Sequence, residues 1–270
     1  MLKRILPLAV AGLAGLLLWG ASADARTLDE IKKAGVIRIG VHPNLPPNSV
    51  MNTKNELEGM DIDFGNMIAK ALEVKAEFVP QQSPERVPNL IADRIDICLG
   101  GLARTPARAQ VIDYTLPTFT EAIVVLTTEK LANVKTWKEL DKPEITLVNV
   151  RGTSPVEWAR QNVKNSKELL LDSGADVIRA IAQGRADATV AVIDTWMAFT
   201  RNHPDVKWRV VPDVIHVDYQ AIGVARGNDT LKNWLNLWLF NWQRAGGHIA
   251  VWEKWFGRKP DAPVVPNPYF

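Results

Sequence analysis

The chain has 270 residues, 47% hydrophobic and 23% charged, which is enough for one large domain or two small lobes with cores of their own. Its 32 lysines and arginines nearly balance 30 aspartates and glutamates, for a formal net charge of +2. That balance points away from nucleic acid and from an anionic membrane surface as partners.

The first 25 residues read as a secretory signal peptide. Lys3 and Arg4 precede an apolar run over 5–19, and Ala21-Ser22-Ala23 and Ala23-Asp24-Ala25 both offer small-x-small cleavage patterns. The run is short for a membrane span. The expected mature chain starts near Arg26 in the periplasm, with a retained anchor as the alternative. The single cysteine, Cys98, excludes an internal disulfide, so the exported fold rests on its core. It lies in an apolar strand pattern and reads as a buried structural thiol rather than a nucleophile.

Residues 27–34 form an amphipathic helix that Gly35 ends, and 36–41 a strand rich in β-branched residues. A loop rich in proline and asparagine spans 42–49. Asp61, Phe64, Met67, Ile68 and Leu72 recur at helical spacing. Residues 75–79 form a strand, and 85–94 a helix with Val87, Leu90 and Ile91 inward. A third strand leads to Gly100-Gly101. This β, α, β, α, β order argues for a parallel sheet with crossover helices.

The stretch 96–108 organises the rest. An apolar strand runs into a glycine turn, and Thr105 caps a helix that has Pro106 at its first position. Arg108 then lies in the first helical turn, where unpaired N–H groups and the dipole favour an anion. Its guanidinium adds a fork suited to a carboxylate. From these residues alone two readings stand: an anion site, or a surface arginine on an ordinary αβ connection.

Further strands are expected over 123–128, 145–150, 188–193, 206–211 and 221–225. A short helical turn is expected at 137–140, and helices at 175–184 and 195–201. Ser154 and Glu157 form a capping box around Pro155, so strand, glycine, hydroxyl and proline recur as in the first stretch. Asp194 caps the helix that follows it. Trp234, Trp238 and Trp242 repeat every fourth residue and share one helix face, read as core packing rather than an aromatic platform. Gly246-Gly247 breaks that helix, and a second one carries Trp252, Trp255 and Phe256. A proline-rich strap starts at Lys259. Two glycine-plus-cap helix starts suggest two similar lobes, and ligands of open α/β sheets sit beyond the strands' carboxyl ends.

Taken in order, IKKAGVIRIGV at 31–41, GMDID at 59–63, the stretch through Arg108, IDY at 112–114, RGTS at 151–154, GRADA at 184–188 and KWFG at 254–257 carry a resemblance. The mature chain resembles the bacterial extracellular solute-binding proteins of family 3, the periplasmic receptors of amino-acid ABC transporters. The resemblance implies an α/β, two-lobe periplasmic-binding-protein fold of type II, with a cleft between lobes and two hinge crossings, near 119–123 and 212–219. The expected lobes are 26–120 plus 217–270, and 121–216. It implies a monomer that binds a small carboxylate, closes by a hinge motion and docks on an inner-membrane ABC permease, without catalysis or cofactor.

By position, Arg108 resembles the family's carboxylate clamp, and Thr153 and Ser154 the facing groups of the second lobe. Gly101, Ala103, Arg104, His42, Leu45 and Asp194 complete the expected site. The departures are informative. The family often has an acid where His42 stands and an aromatic where Leu45 stands. It usually has Ser or Thr where Ala103 stands. Its amine-binding Asp falls at or near Val192, and Asp194, two residues on, is a substitute or a helix cap. Arg104 either faces the cleft or is solvated. The four histidines lack metal-ligand spacing.

Two alternatives share the fold. Periplasmic cyclohexadienyl dehydratases resemble this family and need a cleft acid, for which Glu157 and Asp194 are candidates. An accessory or sensory protein without transport is the other. No G-x-x-x-x-G-K-[ST] or G-x-S-x-G motif supports a nucleotide-binding loop or a serine hydrolase.

Overall fold

A computed structural model describes residues 25–260 and 263–267. The expected signal peptide lies outside the described residues, apart from Ala25. Helix α1 (Leu28–Ala34) starts on a full capping box, Thr27 with Glu30, and ends at Gly35 in the left-handed region. Strand β1 (Val36–Val41) follows. The expected loop over 42–49 contains β2 (Asn44–Leu45) and runs into β3 (Ser49–Met51), which with β4 (Leu57–Glu58) makes a small separate sheet.

Helix α2 (Met60–Leu72) buries Phe64, Ile68 and Leu72, as its spacing predicts, while Met67 faces outward. Strand β5 (Lys75–Pro80) leads to a 3-10 turn over Ser83–Glu85 and then α3 (Arg86–Ile91), so the helix expected over 85–94 is shorter. Ile91, expected inward, is 57% exposed, because the helix ends there and turns that residue to solvent. Strand β6 (Ile97–Cys98) and the short helix α4 (Pro106–Ala109) complete the first lobe's αβ units.

Strand β7 (Ile112–Thr128) runs on through the region where a connection was expected before 123. Beyond it come β8 (Thr146–Val150), α5 (Ser154–Asn162), β9 (Lys167–Leu171), α6 (Gly174–Ala182), β10 (Ala188–Val192) and α7 (Ile193–Thr200). Strand β9, Lys-Glu-Leu-Leu-Leu, has no alternation to announce it. A short β11 (Trp208–Val210) and the long β12 (His216–Ala225) precede α8 (Asp229–Arg244) and α9 (Gly247–Phe256).

The strand order β5-β1-β6-β12-β7-β10-β8-β9 contains the same unit twice. In the first lobe β1 pairs in parallel with β5 and β6, and in the second β8 pairs in parallel with β9 and β10. The long strands β7 and β12 join them as an antiparallel pair, from His216 opposite Ile123 to Ala225 opposite Ile112. β12 also pairs with β6, and β7 with β10. The register slips around Ala221.

Each lobe has its own core. Ile37, Ile39, Phe64, Leu231, Leu235 and Leu239 centre one, with Trp234, Trp238 and Trp242 packed against it. Leu126, Val148, Val177, Ile178 and Phe199 centre the other. Trp238 stacks on Trp242 at 5.4 Å, so the tryptophan row is core, as its spacing predicts. Cys98 is fully buried, which pushes its thiol up to about 11 and leaves it unreactive.

Candidate functional site

The parallel strands of both lobes end at one cleft. His42 follows β1, the Gly100–Arg108 stretch follows β6, Thr153 and Ser154 follow β8, and Val192 ends β10. The cleft encloses a cavity of about 80 Å³. It is the position that open α/β sheets reserve for ligands. Arg108, Gly101, Ala103, Thr153, Ser154, His42 and Leu45 all line it.

Arg108 is built by its own loop. The Thr105 hydroxyl accepts from the Arg108 N–H at 3.3 Å, and Pro106 occupies the helix start. The guanidinium, 8% exposed as a residue, donates Nη1 to the Ala103 carbonyl at 3.0 Å and Nη2 to the Gly152 carbonyl of the other lobe at 3.1 Å. Tyr114 also donates to the Ala103 carbonyl, at 3.3 Å. The nearest carboxylate oxygen, from Glu157, stands 4.0 Å away on a side chain 42% exposed.

A second arginine, absent from the sequence expectation, stands beside it. Arg86 is buried, donates Nε to Ser83 at 3.1 Å, and donates Nη1 to the carbonyls of Gly100 and Gly101 at 2.8 and 3.2 Å. Burial and then the Arg108 charge lower its pKa to about 10, so it stays cationic at neutral pH. Gly100 and Gly101 take φ of 79° and 65°, the left-handed turn that aims both carbonyls at this guanidinium. No ion pair among the described residues involves Arg86. Two adjacent cations with so little neutralisation favour an anion in the cleft.

The second lobe departs from its expected capping box. The N-cap of α5 is Thr153, with no side-chain cap hydrogen bond, and its hydroxyl donates back to Val150 at 2.7 Å. Ser154 instead donates to Asp218 Oδ2 at 2.8 Å, while Glu157 turns towards Arg108. Tertiary partners outcompete the local cap because the crossing strand brings a carboxylate within reach.

Asp194 is a correction too. Helix α7 starts at Ile193 with Val192 as N-cap and no side-chain cap, so Asp194 lies inside the first turn and caps nothing. Its Oδ1 pairs with Arg258 Nη2, from just beyond α9, and it is not among the residues that line the cleft. Arg104 is exposed and faces a separate outer cavity with Tyr219 and Val264, while its N–H donates to the Tyr219 carbonyl at 3.0 Å. His42 is buried, which pushes its pKa down to about 4, and its Nδ1 accepts from the Asn44 N–H at 3.1 Å. It is a neutral loop residue at neutral pH.

Cleft residues that escaped the sequence reading include Arg86, Glu121, Trp196 and Asp218. Glu121 and Asp218 come from the long strands, where no motif marks them. Burial pushes the Glu121 carboxyl up to about 8, reinforced by the charges of Asp194, Asp218 and Asp61 and opposed by Gln220. Leu45, Pro155, Val190, Val192 and Trp196 give the cleft apolar walls.

The chain is similar to several known proteins. The L-cystine-binding protein TcyJ of Escherichia coli K12 is 26% identical over 236 residues, 87% of this chain and 88% of that protein. A cyclohexadienyl dehydratase of Pseudomonas aeruginosa is also 26% identical, over 93% of this chain and 94% of its own. The crystal structure of an ancestral amino acid-binding protein, described as a precursor of cyclohexadienyl dehydratase, superposes with a TM-score of 0.78 at 30% identity. It covers 85% of this chain and 99% of that one. The model of the bacterial extracellular solute-binding proteins, family 3, matches residues 37–258, and the chain belongs to that family.

Proposed function

We propose that this chain is the periplasmic receptor of an ABC importer, and that it holds a small carboxylate, an amino acid or a close relative of one, between its lobes. The observation that carries this reading is the buried Arg108, beside Arg86, at the mouth of strands from both lobes. Arg108 receives the carboxylate, and Gly101, Ala103, Thr153, Ser154, His42 and Leu45 shape the space around it. The crossings at β7 and β12 act as the hinge, with lobe boundaries at 26–120 plus 217–270 and 121–216. The leader sends the chain to the periplasm, where the closed monomer meets its permease. The Arg108 contact to Gly152 lets ligand and lobe closure reinforce one another.

The test is a thermal-shift screen of the mature chain, refolded to strip carried ligand, against amino acids, 2-oxo acids, small dicarboxylates and prephenate. Ligand at a hundredfold over its Kd adds about 2.7 kcal/mol, a clear rise in Tm. A hit among these carboxylates supports the reading, and silence across the panel overturns it.

One observation favours a second reading. A dehydratase needs a protonated cleft acid, and Glu121, with its pKa at about 8, supplies one better than the exposed Glu157 or the paired Asp194. In that reaction Glu121 gives its proton to the leaving hydroxyl of prephenate, and water and carbon dioxide depart to leave phenylpyruvate. Phenylpyruvate absorbance on mixing with prephenate, abolished by Glu121→Gln, supports it. Prephenate left intact overturns it.

A further inference from the structure

Two carboxylates face the cleft from the long strands, and the strand register makes them partners. In the β7–β12 pair Asp218 stands directly opposite Glu121. Directly opposite residues of an antiparallel pair share a face, with Cβ atoms about 4.5–5.5 Å apart, and like charges there destabilise the pairing. Both line the cleft cavity. Asp218 has partial compensation, from the Ser154 hydroxyl at 2.8 Å and from His216 Nε2 at 3.0 Å. Glu121 is 5% exposed and takes part in no ion pair among the described residues. The other acid near the cleft, Asp194, is held by Arg258, and the end of β10 offers only the apolar Val192.

We infer that Glu121 and Asp218, facing one another across the two long strands, form the ammonium-binding pole of the cleft, separate from the arginine pole that receives the carboxylate. This inference rests on the carboxylate-receptor reading and deepens it. The ligand class it selects is a small molecule carrying both a carboxylate and a protonated amine. An arriving ammonium offsets the repulsion that ionising Glu121 beside Asp218 would incur and replaces the water that burial denies Glu121. The groups that face Glu121 are Asp218 and Gln220 on β12, Asp194 on α7 and Asp61 on α2. His216 stands behind Asp218, and Arg86 and Arg108 line the same cavity. With its carboxyl at about 8, Glu121 is mostly protonated at pH 7 without ligand. Capture of an ammonium favours its carboxylate, so the proton passes to buffer and no other bond is made or broken.

The test is titration calorimetry on the refolded mature chain with the amino acids, their 2-oxo counterparts and 6-aminohexanoate. The best-bound amino acid is expected to bind about 100-fold tighter than its 2-oxo acid. Glu121→Gln and Asp218→Asn are each expected to weaken it by about 10- to 100-fold while leaving the 2-oxo acid within about threefold. Heats in phosphate and in Tris are expected to differ for the native chain, reporting proton release, and to converge for Glu121→Gln. Binding of 6-aminohexanoate at amino-acid strength assigns the ammonium to a ligand side chain, and its failure assigns it to the α-amine. Amino-acid affinity unchanged in both variants, or a native preference for the 2-oxo acid, overturns the inference. An Arg108→Ala variant that binds as tightly as the native chain overturns the carboxylate reading instead. Absence of binding by every probe overturns both. A melting scan of each variant separates a lost fold from a lost site.

Discussion

The two strand-to-helix loops that face each other across the cleft have matching sequences and different economies of hydrogen bonding. In the first, the Thr105 hydroxyl caps its own helix and fixes Arg108. In the second, the Thr153 and Ser154 hydroxyls leave α5 without a side-chain cap, and Ser154 reaches the crossing strand at Asp218. The first loop caps its own helix start and presents a cation that also reaches the second loop at Gly152. The second is completed only when the lobes and crossing strands assemble, so it can report on closure. A shared motif therefore sets where a loop lies, while its tertiary neighbours decide what its side chains do.

The comparison can be broken most forcefully at Arg108, which joins the two loops through Gly152. Arg108→Ala is expected to weaken carboxylate binding by about 3 kcal/mol, read by calorimetry, and to lower Tm as well, because two carbonyl contacts are lost.

Two buried acids give the next effect. Glu121 and Asp61 have folded pKa values raised to about 8 and about 7, so the native state keeps protons that the unfolded chain has released. Stability is then lost as pH rises through these values, on the order of 2 kcal/mol between pH 6.5 and 8. His42, lowered to about 4, acts oppositely: its contribution is present above 6.5 and lost as pH falls towards 4. Denaturant melts between pH 6.5 and 8.5 isolate the two acids, and Glu121→Gln should flatten the slope.

Gly152→Ala sharpens the contrast from the other side. Gly152 has φ of 74°, and an added Cβ would meet Pro84 Cα of the first lobe at 3.0 Å. The backbone strain costs about 1 kcal/mol, seen as a lower Tm. The contact with Pro84 should open the lobes, seen as a larger radius in solution scattering. Thr105→Ala removes the only side-chain cap of the pair and should cost about 0.5–1 kcal/mol in a denaturant melt. Glu157→Gln should change stability by less than about 0.5 kcal/mol, since the residue is 42% exposed and closes no capping box. A cost like that of Thr105→Ala would restore the capping box that the sequence suggests.

Much of the architecture was legible from residue order. Glycine ends, caps and apolar periods act within a few residues, so α1, β1, α2, β5 and the Thr105–Arg108 start could be read locally, and the order β, α, β, α, β implied each parallel unit. Strand β9 was missed because its Lys-Glu-Leu-Leu-Leu carries no period of two. The length of β7 was missed because Pro117 interrupts its pattern, yet a strand that leaves one lobe for another tolerates a proline.

The cleft divides in the same way. The sequence by itself determined that a cation would stand at the first helix start, that glycine, hydroxyl and proline would recur in the second unit, and that the chain shares the family's order of motifs. The tertiary structure alone decided that Arg86 joins Arg108, that Asp194 is held by Arg258, and that Glu121 meets Asp218. The reason is range. A helix cap is a contact between residues three apart, whereas the pairing of Glu121 with Asp218 joins strands that meet only after the second lobe has been built between them.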